Sequence, residues 1–568
     1  MLVSAGFIVL DVWLNLKIPG YMNEITKLIQ TPGSQMSEIW KNGGFMLLCA
    51  FSSLIGSVIV SFISSKISSA LAYRIRENVY NKVQSFSMEE IKNFSTSSLI
   101  TRTTNDVTQV QMVFVMGIQL LIQAPVTAIW AICKIVGKGW QWSLATAVAV
   151  LIMIIVLGII IIFAVPKFKK IQKLTDDLNR VTRENLTGVR VVRAYNAEQY
   201  QEEKFKKANS ELTKTHLFTG KIMAIMNPAM TLVLNGLSLS IYWIGALLIS
   251  NASPANKLNV FSDMVVYSSY AMQVVSAFMM LVFIFMLIPR ASVSAKRINE
   301  ILDTQPHILD GEGVKNTDII GEVEFKNVSF KYPDAKEYIL KNINFKANKG
   351  ETIAFIGSTG SGKSTLINLI PRFYDATEGE IFIDGVEIKN YKQEELHNKI
   401  GYIPQRAVIF SGDIESNLLF GENGKEKIND DKINQALSIS QAKEFVDGLT
   451  EGLKSNVAQG GTNLSGGQKQ RLAIARAIAR DPEILIFDDS FSALDYKTDR
   501  ILRKQLKEKI KGVTTFIVAQ RIGTIKNADK IIVLENGNVV GSGKHEELLE
   551  NCSVYKEIAL SQLSKEEL

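Results

Sequence analysis

Five long apolar runs mark the first half of the chain, at residues 45–63, 112–133, 142–165, 222–249 and 264–288. Each reaches the roughly 20 residues that a helix needs to cross a bilayer. The opening MLVSAGFIVLDVWLNLKIPGYM predicts a sixth span, short and interrupted by Asp11, Asn15 and Lys17. The intervals between spans alternate in length. Those after spans 1, 3 and 5 are short; those after spans 2 and 4, roughly 64–111 and 166–221, are long, polar and helix-forming. The second long interval is rich in Lys and Arg, which places it, and with it both termini, in the cytoplasm. Trp140, Trp142 and Trp243 fit an interfacial belt. The polar intervals predict helices that continue well beyond the bilayer and cross over in short stretches at 89–102 and 193–203.

From residue 321 the pattern changes to strands: GEVEFKNVSFKYP, ILKNINFKA, GETIAFIG. The 568 residues are too many for one core. The division expected is a transmembrane domain over 1–290, a linker over 291–320 and an α/β domain over 321–568. The mean hydropathy of +0.12 averages an apolar first half and an ordinary polar second half. A net charge of +7 raises the question of nucleic acid. Much of the excess sits between apolar segments, where a membrane explanation is simpler, so no nucleic-acid partner is expected. Cys49, Cys133 and Cys552 form no CxxC pair, which argues against zinc and against a disulfide scaffold. His216, His307, His397 and His545 are equally scattered.

The spans carry polar and kink-forming residues: Gln119, Gln123, Pro125, Asn227, Pro228, Asn235 and Gln273. They serve either interhelical hydrogen bonding and kinking or the lining of a polar cavity. Spans 5 and 6 are rich in methionine, with Met223, Met226, Met230, Met264, Met272, Met279, Met280 and Met286. Methionine is flexible and polarizable, and suits a pocket that repacks around varied apolar ligands.

The chemistry lies in the second half. The strand GETIAFIG enters GSTGSGKST, residues Gly357, Ser358, Thr359, Gly360, Ser361, Gly362, Lys363, Ser364 and Thr365, and the apolar helix TLINLI follows. Strand, glycine-rich loop and helix in this order make a P-loop. The glycines let backbone N–H groups point at phosphate oxygens, and the helix N-terminus adds partial positive charge. Lys363 is expected on the outer phosphates of ATP and Ser364 Oγ on Mg²⁺. EILIFD is a second strand, with Asp488 positioned to hold Mg²⁺ through water. Between them, LSGGQKQRLAIARAI sets a Gly-Gly turn before a long amphipathic helix, a second phosphate-facing N-terminus. Two such elements in one domain suggest two chains sandwiching a nucleotide.

GSTGSGKST, LSGGQ and IFDD in this order, after six spans, resemble an ATP-binding cassette (ABC) exporter half-transporter. The resemblance covers nearly the whole chain. It implies a membrane α-helical bundle with long cytoplasmic extensions joined to an α/β P-loop nucleotide-binding domain, in a multi-pass protein of the bacterial plasma membrane. It implies that Tyr332 in FKYP stacks on adenine, and that Gln405 in YIPQ touches Mg²⁺ and senses the membrane domain. It implies that Ser465, Gly466, Gly467 and Gln468 are the signature and that Asp495 in SALD is the D-loop residue crossing to the partner. The two short crossings match coupling helices. The family also begins with an elbow helix and a longer first span; Met1 falls inside that span, which implies a truncated chain or a misassigned start.

Two positions depart from the family pattern. Asp489 stands where the family has the glutamate that activates the attacking water, and Gln520 where it has the switch histidine at the γ-phosphate. A general base must come within hydrogen-bond reach of its proton, and aspartate is one methylene short. Glutamine cannot carry the positive charge of imidazole. With every group that holds MgATP kept, the pattern resembles the degenerate-site subunit of heterodimeric bacterial multidrug ABC exporters. The expected partner is a second half-transporter with an intact Walker B glutamate and switch histidine, and the expected cargo is amphipathic compounds. The alternatives are a homodimeric exporter with two slow sites and an ATP-gated channel.

Overall fold

The computed structural model describes residues 2–30, 33–254, 256–314, 317, 319–421, 423 and 428–562. It divides into two compact units: residues 1–83 with 97–304, and residues 84–96 with 305–568.

The first unit is all helix. α1 is Leu2–Gln30, α2 Met36–Gln84, α3 Met88–Phe94, α4 Thr96–Thr101, α5 Val107–Ile135, α6 Trp140–Thr187, α7 Val189–Ala194, α8 Glu198–Asn251 and α9 Lys257–Asp303; α3 belongs to the second unit. Among the described residues six helical segments are long and apolar enough to cross a membrane, as the alternation of runs and intervals predicts. α2, α6 and α8 have 49, 48 and 54 residues. At about 1.5 Å per residue they exceed twice the roughly 30 Å thickness of the hydrocarbon layer. The polar intervals are therefore continuations of the spans, as expected.

Asp11 and Asn15, two of the polar residues that interrupt the first span, are hydrogen-bonded within the protein. Asn15 Nδ2 and Ser53 Oγ of α2 both donate to Asp11 Oδ1, and Asn15 also donates to Ser53 Oγ at 2.9 Å. Trp142 corrects the reading of an aromatic belt. Trp140 and Trp243 are exposed on the helix surface, but Trp142 is buried, with Nε1 donating to Ile241 O at 3.2 Å and its ring 5.4 Å from Tyr267. Its indole N–H needs a partner when buried, and a carbonyl of α8 supplies it. At the base of α5 a π-helical turn, Arg102–Asp106, brings buried Asp106 against Ser294 and Arg297 of α9.

The described residues of the second unit form three sheets. β1 (Val323–Phe330), β2 (Leu340–Ala347), β4 (Glu378–Ile383) and β5 (Val386–Glu387) form an antiparallel sheet in the order β2-β1-β4-β5. β3 (Thr352–Gly357), β6 (Ile400–Ile403), β9 (Ile484–Asp488), β10 (Thr514–Val518), β11 (Lys530–Glu535) and β12 (Asn538–Gly543) form the main sheet, β12-β11-β3-β10-β9-β6. Only β12 in it is antiparallel. β7 (Gly412–Asp413) and β8 (Asn456–Val457) make a small ribbon. The parallel strands are buried along nearly their whole length: ILIFD of β9 shows no exposed residue. This is the continuous apolar run of a sheet covered on both faces. Lys399 ties two strand ends together, reaching Asp384 at 2.8 Å and Glu483 at 2.7 Å. β3 and β9 lie on either side of β10, so their C-terminal ends open on one edge, where ligands of parallel α/β sheets bind.

Candidate nucleotide-binding site

β3 ends at Gly357, the loop 358–362 follows, and α10 (Lys363–Leu369) begins. A Cβ on Gly357 would lie 2.0 Å from the carbonyl oxygen of Leu534, and Gly362 caps α10 at φ +99. Neither position accepts a side chain without moving backbone. Gly357→Ala is therefore expected to weaken nucleotide binding by at least about tenfold, because it displaces the loop from β11; titration of full-length protein with a fluorescent nucleotide checks it. Lys363 Nζ donates to Gly357 O at 2.9 Å and Ser358 O at 2.8 Å, inside the curve of its own loop. Burial pulls this ammonium below its ordinary range, against the opposing charges of Asp489 and Asp488.

Ser364 Oγ donates to Asp488 Oδ1 at 2.7 Å, so the two residues expected at Mg²⁺ meet across α10 and β9. The donors are a hydroxyl and a carboxylate, hard oxygens that suit Mg²⁺ together with phosphate. Burial raises the Asp488 pKa; the Ser364 hydrogen bond opposes this and the charge of Asp489 adds to it.

Asp489 sits at the strand end with φ +48, where its backbone N–H bonds Val518 O. Its Oδ2 accepts two amide hydrogens, from Gln405 Nε2 at 3.1 Å and from Gln520 Nε2 at 2.6 Å. The two residues that depart from the family pattern are thus bonded to each other, and Gln405 completes the cluster. Burial raises the Asp489 pKa, and both glutamine hydrogen bonds oppose the rise.

Ser465 caps the helix Gly466–Ala479 through a reciprocal pair with Gln468: Gln468 N donates to Ser465 Oγ at 3.3 Å and Ser465 N donates to Gln468 Oε1 at 2.8 Å. Ser465 and Gly466 are exposed, and a Cβ on Gly466 would meet nothing within 4 Å. Asp495 caps the next long helix, Tyr496–Lys509, bonding Thr498 through both backbone and hydroxyl, which lowers its pKa. Tyr332 OH lies 3.1 Å from Thr365 Oγ1 at the end of the P-loop. The structure thus joins Lys363 to its loop, Ser364 to Asp488, and Gln405, Asp489 and Gln520 to one another, and it places the signature and Asp495 on exposed helix starts.

Sequence reading missed three supporting groups. Gln470, a polar residue on the buried face of the signature helix, donates to Pro404 O at 3.2 Å, beside Gln405. Tyr402 OH bonds Asn368 of α10 at 3.1 Å, and burial raises its pKa. Gln562 straps the 520–522 turn, donating to Gln520 O at 2.7 Å and accepting from Ile522 N at 2.8 Å. Gln470 alone carried a signal, as a polar residue in an apolar stripe.

The membrane unit has one further feature, a cavity of about 350 Å³. Met226, Met230, Met279 and Met280 line it with Phe283, and Ser276 is the one polar lining side chain among the described residues. Gln119, Gln123, Asn227, Asn235 and Gln273 do not line it. The side chain of Met286 lies outside the described residues.

Residues 1–292 match the family described as "ABC transporter transmembrane region", and residues 340–492 match "ABC transporter". An uncharacterized ABC transporter ATP-binding protein of Mycobacterium tuberculosis is 38% identical over 521 residues, 91% of this chain and 87% of the relative. YfiB of Bacillus subtilis, similarly described, is 35% identical over 531 residues, 94% and 91% of the two chains. An ATP-dependent lipid A-core flippase of Pseudomonas aeruginosa is 32% identical over 509 residues, 89% and 82%. The structure of a bacterial Atm1-family ABC exporter with ATP bound superposes with a TM-score of 0.83 over 99% of each chain, at 24% identity, a likeness of fold. Six spans among the described residues, the two family matches and these relatives together identify the chain as a member of the ABC transporter family, an ATP-driven half-transporter of exporter fold with its nucleotide-binding domain in the cytoplasm.

Proposed function

We propose that this chain is the degenerate-site subunit of a heterodimeric exporter. The observation that carries this reading is the 2.6 Å bond between Gln520 and Asp489. The amide hydrogens of Gln405 and Gln520 both engage the Asp489 oxygen that a general base would turn toward water, and they oppose the rise that burial gives its pKa. That oxygen is turned toward Gln405 and Gln520. A misplacement of about 1 Å can cost on the order of 10²-fold in rate. Such a site holds ATP and turns it over slowly.

Tyr332 takes the adenine, the loop 357–365 the phosphates, and Lys363 the outer phosphates. Ser364, Asp488 and Gln405 are the residues that would hold Mg²⁺, which would supply positive charge to the phosphates. Ser465, Gly466 and Gly467, with Gln468 fixing their turn, complete the P-loop site of the partner, where hydrolysis occurs, and Asp495 crosses toward that site. ATP closes the two nucleotide domains, the crossings at 89–102 and 193–203 transmit the closure, and the spans open outward.

The cargo we propose is amphipathic. The methionine-lined cavity, apolar but for Ser276, supports an apolar portion in the ligand. The name of the flippase relatives supports a lipid as a second reading, in a homodimer or a heterodimer. Asp489→Ala tests the assignment of the site: in the complex it should leave ATP turnover within about twofold, because the residue does not act as the main base. A loss on the order of 10²-fold would place essential catalysis at Asp489 and reject the assignment.

A further inference from the structure

α3 follows the second span in sequence, yet it belongs to the unit that binds nucleotide. Glu90 fixes it there. This residue is buried at 6% exposure; its Oε2 accepts from Ser87 N and Ser87 Oγ, and its Oε1 accepts from His307 N at 3.1 Å. Two residues on, the exposed Lys92 places its ammonium over the ring of Tyr332, 5.5 Å from the centroid.

The ring is held from the core side. Its hydroxyl meets Thr365, and Phe330 and Tyr374 stand nearly perpendicular to it at 5.0 and 5.3 Å. Lys92 approaches from solvent. An ammonium within about 6 Å of an aromatic face is attracted by the negative charge of that face. A purine stacking on the same face must take the space that the ammonium occupies.

We propose that Lys92 and the adenine base of ATP compete for the outward face of Tyr332, so that arrival of the base releases Lys92 and reports occupancy to α3. This rests on the reading of Tyr332 as the adenine platform. Because the coupling is reciprocal, docking of Lys92 also weakens the binding of the base. The phosphates are not involved, so a triphosphate without a base leaves Lys92 in place.

The test is equilibrium binding to the full-length chain in lipid, with ATP and with inorganic tripolyphosphate as probes, each with Mg²⁺. Lys92→Ala should bind ATP about two- to fivefold more tightly, the size of an exposed cation–π contact, and tripolyphosphate as before. Lys92→Arg should behave like the native chain. Hydrogen exchange over 88–94 should rise when ATP, but not tripolyphosphate, is added to the native chain. Tyr332→Ala separates the two readings. If it leaves ATP affinity unchanged, the adenine platform is wrong and the proposal falls with it. If it weakens ATP while Lys92→Ala leaves ATP affinity unchanged or lower, the platform stands and the competition is overturned.

Discussion

Ser465→Arg is expected to abolish most ATP turnover of the assembled transporter, by about 10²-fold or more. The serine begins the signature helix, with its hydroxyl capped by Gln468 N and its side chain exposed. A helix start offers N–H groups and partial positive charge to an incoming phosphate. Removing one aligned donor from a developing negative charge costs about 10²–10³-fold in other catalytic sites. Arginine removes the hydroxyl, fills the approach with a long side chain and sets a cation where the helix dipole disfavours it. No core contact is lost, so the protein should assemble normally. Steady-state ATPase of the complex, with size-exclusion chromatography to verify assembly, checks it. In a chain whose own Walker site did the work, Asp489→Ala would be the damaging change instead.

Asp489→Glu combined with Gln520→His is expected to switch the slow site on, raising turnover at that site by about 10²-fold. Neither change alone should achieve this. Asp489 Oδ2 lies 2.6 Å from Gln520 Nε2 and 3.1 Å from Gln405 Nε2, so a longer carboxylate set against the same two amides has no room to advance toward a water. Histidine alone leaves the short carboxylate in place. The two substitutions touch one shared bond, and non-additivity is the rule for such pairs. Single-turnover hydrolysis by the four variants, with the partner's site inactivated, measures the coupling. Equal additive gains would mean that the bond between Asp489 and Gln520 does not hold the site down.

The short, interrupted first run was the weakest of the six; the sequence made the other five spans readable because their apolar runs are long, and length separates a span from a core helix. It also made the phosphate elements readable, since glycine spacing in the loop 357–362 is dictated by local geometry: a Cβ at Gly357 has no place to go. Pairings across long sequence separations were not readable. Asp11 looks like an interruption of a span until Ser53, 42 residues later, turns out to bond it. Trp142 reads as an interfacial residue, and its burial depends on Ile241 and Tyr267 meeting it from other helices. Asp489 and Gln520 stand out separately as substitutions, but their bond becomes visible only once β9 and β10 lie side by side. α3 is similar: its sequence lies among the spans, while Glu90 and Lys92 find their partners in His307 and Tyr332.

The measurement that tests the central claim most directly is ATP hydrolysis by the purified chain in lipid, alone and together with the chain it retains from its native membrane. The account predicts negligible turnover alone, and full turnover with a stoichiometric second half-transporter that carries a Walker B glutamate and a switch histidine. Robust turnover by this chain alone would contradict it: aspartate and glutamine would then suffice, and the bonded pair at 489 and 520 would be a working site rather than a holding one.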